Sequence, residues 1–396
     1  MFLQKAQKKI RHASTGKAYL KLSKAYYERE RTIQEYKAQG AKTIGCMGSD
    51  VPEELLIAAG FLPVRISGDP QGKNQQADLY LEMAFDPVAR SQFDRLLDGT
   101  YANLDHLVIS NSTDVLVRLY FYLREIHRLE PQRAIPNFYF YDFLFMLTRT
   151  SNLYNRDRLR DLKDVLCRWQ GRPITEDSLH KAIAVCNENR RLLNKFAGLR
   201  GPEISRVSGV EALEVIGASL FMPREEHSRA LRDLLEEAQG WSALNGTRIF
   251  VSGAVHEQPD FYELVESCGA IVVGEDHDWG DRHFLRNVDP KVEPIAAIVD
   301  RYQLRLASPK KALVSQRVRA VIDGVKATGA QGVIFFIRQW DEAASWDFPE
   351  QHKALKAMGI PSLLLVNQKY PLNNTEELKA DISQFLETSR AQKGGQ

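Results

Sequence analysis

The sequence predicts two doubly wound α/β domains of the Rossmann or flavodoxin-like kind, each a parallel sheet between helices, with further helices leading into the first and joining it to the second. Three observations carry this. Short apolar runs alternate with helix-period stretches in two groups of four. A helix-patterned block without a strand separates the groups. The chain, at 396 residues, is also too long for one ordinary core.

Residues 1–40 are charged, with Tyr, Leu and Ile recurring at three and four, and read as N-terminal helices ending at "AQGAKT". The first α/β domain, 41–151, takes its strands from "TIGCMGS", "FLPVRIS", "HLVISNS" and "NFYFYDF". Between the first two lies "PEELLIAAG", a helix with Pro52 in its first turn and Gly60 at its end. Residues 152–244 form a helical connector, including "ITEDSLHKAIAVCNENRRLLNKF" and "PREEHSRALRDLLEEAQ". Its acidic first turns and basic last turn suit the helix dipole. The second α/β domain, 245–396, draws strands from "TRIFVSGAV", "AIVVGEDH", "GVIFFIRQW" and "PSLLLVNQKY", separated by helices at "PDFYELVESCG", "KALVSQRVRAVIDGVKATG" and "FPEQHKALKAMG".

Composition removes several functions. Lys plus Arg number 53 against 51 Asp plus Glu, a net charge of +2, which gives no global field for nucleic acid or an anionic membrane. The longest apolar stretch, "FYFYDFLFML", is far short of a bilayer span and holds Asp142. The first residues lack the apolar core and cleavage site of a secretory signal, so a cytoplasmic location is expected. Cys46, Cys167, Cys186 and Cys268 make neither a C-x-x-C pair nor zinc-site spacing, and the helical settings of Cys167 and Cys186 suit buried, inert thiols. Neither a dinucleotide fingerprint nor a P-loop is present.

Candidate site residues lie where apolar strands end in polar ones: Ser49 and Asp50; Asn111, Ser112, Thr113 and Asp114; Ser252 and His256; Glu275 to Asp278; Gln339, Trp340 and Asp341. A doubly wound fold gathers such positions along one sheet edge, and a cleft between two domains sees both sets. Asp50 and Asp114 read equally well as caps of the helices that follow them. Glu54, His256 and Asp276 are the candidate acid or base groups. The cluster "EDHDWGDRH", with Arg282, reads equally as a solvated acidic loop, and no metal site is expected.

Four blocks in order, "GSDVPEELLIAAGFLPVRISG", "GTYANLDHLVISNSTDVLVRLYFYL", "VSGAVHEQPDFYELVESCGAIVVGEDHDWGDR" and "GAQGVIFFIRQWDEAASWDFPEQHKALKAMGIPSLLL", resemble the 2-hydroxyacyl-CoA dehydratase and benzoyl-CoA reductase subunit family from about residue 41 to 370. The resemblance implies paired, related subunits acting on acyl-CoA thioesters, an iron-sulfur cluster between the two domains of a subunit, and a separate ATP-hydrolysing activator that supplies the electron. It also implies where the cluster cysteines belong. Those positions here hold Asp86 or a neighbour, Thr113 and Trp340, so a divergent member without the [4Fe-4S] ligands is expected, since Cys46 alone cannot hold a cluster. Trp340 is expected to fill the vacated space, with Asp114 and Asp341 as retained neighbours.

Three functions remain open: a cluster-free subunit paired with a cluster-bearing relative, a free-standing acyl-CoA binder with non-redox chemistry, and a structural or regulatory partner. A pairing subunit is expected to expose an apolar patch on "NFYFYDFLFML" or "VLVRLYFYLREI". Arg65, Arg118, Arg282 and Arg338 are the cations near strand ends available to CoA phosphates.

Overall fold

A computed structural model describes residues 16–304, 311–341 and 343–391; part of the N-terminal segment read as helical lies outside them. Helices α1 (Lys17–Tyr27) and α2 (Arg29–Ala38) come first. Then follow β1 (Lys42–Met47), α3 (Glu53–Ala58), β2 (Phe61–Arg65), α4 (Pro87–Leu97), β3 (His106–Ser110), α5 (Asp114–Leu129) and β4 (Asn137–Tyr141). Helices α6 (Arg149–Gln170), α7 (Glu176–Ala197), α8 (Gly209–Ala218) and α9 (Arg224–Glu237) make the connector. The second half runs β5 (Thr247–Gly253), α10 (Asp260–Ser267), β6 (Ala270–Glu275), α11 (Pro294–Leu304), α12 (Val314–Thr328), β7 (Gly332–Arg338), α13 (Phe348–Ala357), β8 (Ser362–Gln368) and α14 (Thr375–Ala391).

All eight expected strands form, in two parallel four-stranded sheets ordered β2-β1-β3-β4 and β6-β5-β7-β8. Counted within each half, the order is the same. The central strands are mostly apolar and buried because helices cover both faces, as in β7, where every residue is buried. In this order the chain reverses direction across the sheet between β1 and β3, and again between β5 and β7, which opens a crevice at their carboxyl ends. Both first strands break there on a glycine at positive φ, Gly48 (φ 102°) after β1 and Gly253 (φ 111°) ending β5. A Cβ on Gly48 would run into the hydroxyls of Ser110 and Ser112, and one on Gly253 into the carbonyl of Phe336.

The helices join the sheets rather than merely linking them. Every residue of α8 is buried, and its start is fixed by a capping box in which Ser208 and Glu211 satisfy each other's backbone N–H groups. Val215 and Ile216 of α8 and Leu22 and Tyr26 of α1 belong to one apolar core that contains both Ile109 of β3 and Val251 of β5. The apolar face of α11 packs with Ile44 and Val108 of the first sheet, although it follows β6 in sequence. Helices α4, α11 and α14 carry no sequence signal strong enough to name them in advance. None of the described helices is long and apolar enough to cross a membrane.

Candidate functional site

The two crevices face each other. A cavity of about 140 Å3 is lined by Ser49 and Thr113 from the first sheet's edge, by Val255, Arg338 and Asp341 from the second, and by Asp86 at the start of α4. Ser49, Thr113 and Asp341 thus come together as the sequence suggests. Glu257, next to the more conspicuous His256, also lines this cavity and was not singled out by sequence. Its Oε1 accepts from the Gly68 N–H and the Tyr370 hydroxyl, each at 2.8 Å, and its backbone carbonyl accepts from the Tyr26 hydroxyl at 3.0 Å. One buried residue therefore ties the two halves together through its carboxylate and reaches the leading helices through its backbone carbonyl. No local pattern marks a glutamate whose partners lie more than a hundred residues away.

The positions that the family resemblance assigns to cluster cysteines have other work. Asp86 caps α4, accepting from the Ala89 N–H at 2.8 Å. Thr113 caps α5, accepting from the Leu116 N–H at 3.2 Å. The expectation that Asp114 caps this helix is corrected by one residue: Asp114 is the first helical residue, and it is exposed. Asp50 does not cap α3 either, because Pro52 is the N-cap. The expectation for Trp340 is overturned. It ends a turn closed by the Asp341 N–H on the Arg338 carbonyl (3.1 Å), has φ 65°, and leaves its ring 49% exposed. The turn sends the side chain out of the cavity, so it does not fill it.

A thiolate-held cluster does not fit these residues. No cysteine lines the cavity. Cys46 is buried in β1 and Cys186 in α7; burial pushes the Cys46 thiol up to about 12 and Cys186 well above its ordinary range. Cys167 lies on α6, where its sulfur accepts from the Ile174 N–H at 3.3 Å, and Cys268 follows α10. Four thiols in four separate elements make no cage for iron.

The acid and base candidates are enclosed in the protein. Glu54, on α3, meets the Arg190 guanidinium and accepts from the Tyr302 hydroxyl at 3.1 Å. Beside it Glu53 takes Arg190 at 2.8 Å and Arg224 Nε at 3.0 Å. Burial alone would push Glu53 up, but Arg224 and Arg190 hold it well below the ordinary carboxylate range. Glu53, Glu54 and Cys186 lie close enough to share a metal ion, yet Arg190 already occupies that position as the cation. His256 is fully buried, stacked on Phe261 at 5.0 Å with Phe336 at 4.7 Å, and neither ring nitrogen has a partner. Burial holds it neutral. Asp276 accepts from Ser252 at 2.8 Å and lies in a separate small cavity beside Arg317 and Asp347.

Of the remaining candidates, Arg282 is buried against Asp278 at 3.0 Å. Asn111 clamps the end of β4, donating to Asp142 at 2.5 Å and to the Phe143 carbonyl at 3.1 Å. Gln339 carries its strand forward through its N–H on the Gln368 carbonyl at 2.9 Å. Among the arginines proposed for phosphates, Arg118 pairs with Glu82 at the surface, and Arg65 and Arg338 face the cleft.

A larger cavity, about 380 Å3, opens on the other side of the loop after β1. Its lining includes Asp50, Phe145, Tyr302, Lys311 and Arg319. Ser49 thus looks into the cleft and Asp50 into the large cavity. Asp50 Oδ2 accepts from Ser112 Oγ at 2.6 Å and contacts the Lys311 ammonium, which lies 3.8 Å from the Phe145 ring centroid. This size and mixture, aromatic walls with a few polar groups, is what small-molecule sites have. Only Asp50 and its support Ser112 were foreseen.

Comparison with known proteins agrees with the resemblance. The family described as "2-hydroxyglutaryl-CoA dehydratase, D-component" matches residues 48–388. The (R)-phenyllactyl-CoA dehydratase beta subunit of Clostridium sporogenes is 24% identical, over 90% of this chain and 94% of its own length. The (R)-2-hydroxyglutaryl-CoA dehydratase beta subunit of Acidaminococcus fermentans is 25% identical, over 83% and 88%. A benzoyl-CoA reductase subunit from Thauera aromatica is 28% identical, over 74% and 77%. The duplicated sheet order, the facing strand ends and the family match over nearly the whole chain make this protein a member of the 2-hydroxyglutaryl-CoA dehydratase D-component family.

Proposed function

We propose that the chain is a subunit of an acyl-CoA dehydratase or reductase complex that binds an acyl-CoA thioester and carries no cluster of its own. Electron transfer then belongs to a related, cluster-bearing subunit, and the ATP-dependent activator implied by the family resemblance acts on that partner. The observation that carries the reading is the pairing of a cysteine-free cleft with the 380 Å3 cavity beside it. Phe145 and Tyr302 offer apolar wall to an acyl-pantetheine arm, and Arg319, exposed at the rim, offers a cation to the CoA phosphates.

Pairing is supported by the surface. Strand β4 is an edge of its sheet, and Tyr120 of α5 stacks on its Phe140 at 4.5 Å. Phe121 on that helix is 48% exposed, and Met146 and Leu147 beyond the strand are 70% and 58% exposed. An apolar helix face beside an open strand edge suits burial against a second subunit. Titration calorimetry with butyryl-CoA tests the ligand. The wild type is expected to bind, and Arg319→Glu to bind about tenfold more weakly. Absence of binding by the wild type refutes the acyl-CoA reading.

A further inference from the structure

A small cavity of about 20 Å3 shares Ser49 and Arg65 with the cleft and Tyr302 with the large cavity. Its lining brings together side chains far apart in sequence: Arg65 at the end of β2, Arg224 at the start of α9, Arg301 on α11, His283 beyond β6, and Glu53 at the start of α3. A space of this volume has room for one water-sized particle. Phosphate, sulfate and carboxylate groups are too large for it.

The lining carries three guanidinium groups and one carboxylate. Both oxygens of that carboxylate are engaged. Glu53 Oε1 accepts from Arg190 at 2.8 Å, and Oε2 accepts from Nε of Arg224 at 3.0 Å and from its Nη2. Arg301 donates to the backbone carbonyls of Arg286 and His283, each at 3.1 Å. These two bonds orient the guanidinium and bring no negative charge. The Tyr302 hydroxyl is directed at Glu54 Oε2, 3.1 Å away. Arg224 and Arg301 are buried, so bulk salt screens them little.

His283 supplies an independent observation. It is 6% exposed, it lines the cavity, and its ring nitrogens have no hydrogen-bond partner among the described residues. Burial pushes the ring well below its ordinary value; Glu53 works against that push, while Arg224, Arg65 and Arg301 work with it. The imidazole is therefore neutral and carries one N–H. Buried donors in native proteins have acceptors, because leaving one unpaired is costly. Guanidinium groups only donate as well. The group that suits this space is thus an acceptor with negative charge, and the volume limits it to a single atom.

We infer that this cavity is a binding site for a monatomic anion of chloride size, held by the His283 N–H and by the charges of Arg224, Arg301 and Arg65. The ion links the first sheet, α9 and α11 where the two larger cavities meet, and it enters past Ser49 and Arg65 from the cleft. It needs no CoA ligand.

Two measurements on the full chain test this. In the first, chloride replaces gluconate, an anion too large for the cavity, at a fixed ionic strength of about 0.2 M, which holds screening constant. The thermal midpoint of the wild type is expected to rise by about 2 °C for each tenfold increase in chloride beyond its dissociation constant. His283→Phe, which keeps a ring and removes the N–H, and Arg301→Met are each expected to lose most of that shift. In the second, wild-type crystals soaked in sodium bromide are expected to show an anomalous-scattering peak in the cavity beside the His283 ring. A midpoint indifferent to chloride overturns the proposal, as a site that holds water, or an ion at crystal concentration only. Absence of the bromide peak overturns it too, as does a chloride shift kept in full by both variants, since the ion would then bind elsewhere. The wild-type measurements decide the matter even if neither variant folds.

Discussion

Replacing Glu53 by glutamine keeps its shape and removes its charge from a position where two guanidinium groups converge, Arg190 at 2.8 Å and Arg224 Nε at 3.0 Å. Arg190 and Arg224 are buried to 1% and 3% exposure, so solvent cannot take over the lost interaction. Removing one member of a buried pair costs about 3–5 kcal/mol, and the glutamine oxygen still accepts from one arginine, which places the loss near ~3 kcal/mol. At an m value of about 3 kcal/mol/M, the urea midpoint should fall by about 1 M at pH 7.5. The pH dependence gives a second check. Folding holds the Glu53 carboxyl well below its ordinary value, so its contribution is fully present above the unfolded value and is lost as pH falls through the folded one. The gap between wild type and Glu53→Gln should therefore narrow on acidification below about pH 4.5. Urea unfolding followed by circular dichroism across that range measures both. Equal midpoints at pH 7.5, or a gap that widens in acid, would refute the assignment of Glu53 as the charge that neutralises this arginine pair.

Thr113→Ala should cost about 1 kcal/mol through the lost cap of α5, read in the same urea experiment, whereas Asp114→Ala should cost less. Trp340→Gly should stabilise by up to about 1 kcal/mol, because a tryptophan at φ 65° carries left-handed strain and its exposed ring buries little; thermal unfolding would show it. His256, His277, His227 and His283 are all buried, and burial pulls each below its ordinary value, His277 to about 4 and His227 to about 3. The unfolded chain protonates them first, so stability should fall as pH drops below about 6.5, by about 1.4 kcal/mol per pH unit for each histidine. His256→Leu should reduce that slope by one histidine's share, and an unchanged slope would show that His256 is not held neutral.

The sheets were legible because their strands are buried on both faces and so read as short, nearly uninterrupted apolar runs, as in "GVIFFI". The leading helices and the connector were legible from their period and charge. Three helices were missed. The α11 stretch "PIAAIVDRYQL" is buried nearly all round, which erases the amphipathic period that would announce it. The cleft was legible in outline, since strand ends gather by topology, but sequence gives no direction for a side chain at a turn. Trp340 leaves the cavity for that reason, and Thr113 caps the helix where Asp114 looked the better candidate. The large cavity was not legible. Asp50, Phe145, Tyr302, Lys311 and Arg319 meet only because α11 packs on the first sheet while α12 packs on the second and lines the same cavity, and nothing local to any of them carries that information. Glu54 and His256, chosen for their residue type, proved to be closed off by Arg190 and by aromatic rings.

The proposed function requires a chain that holds no cluster, with Asp86 and Thr113 serving as helix caps in the cleft. Iron and acid-labile sulfide measured on the chain purified without oxygen test this most directly. No stoichiometric iron is expected. About four irons and four sulfides per chain, the content of one [4Fe-4S] cluster, would mean that thiols placed in four separate elements do ligate metal, and would contradict it.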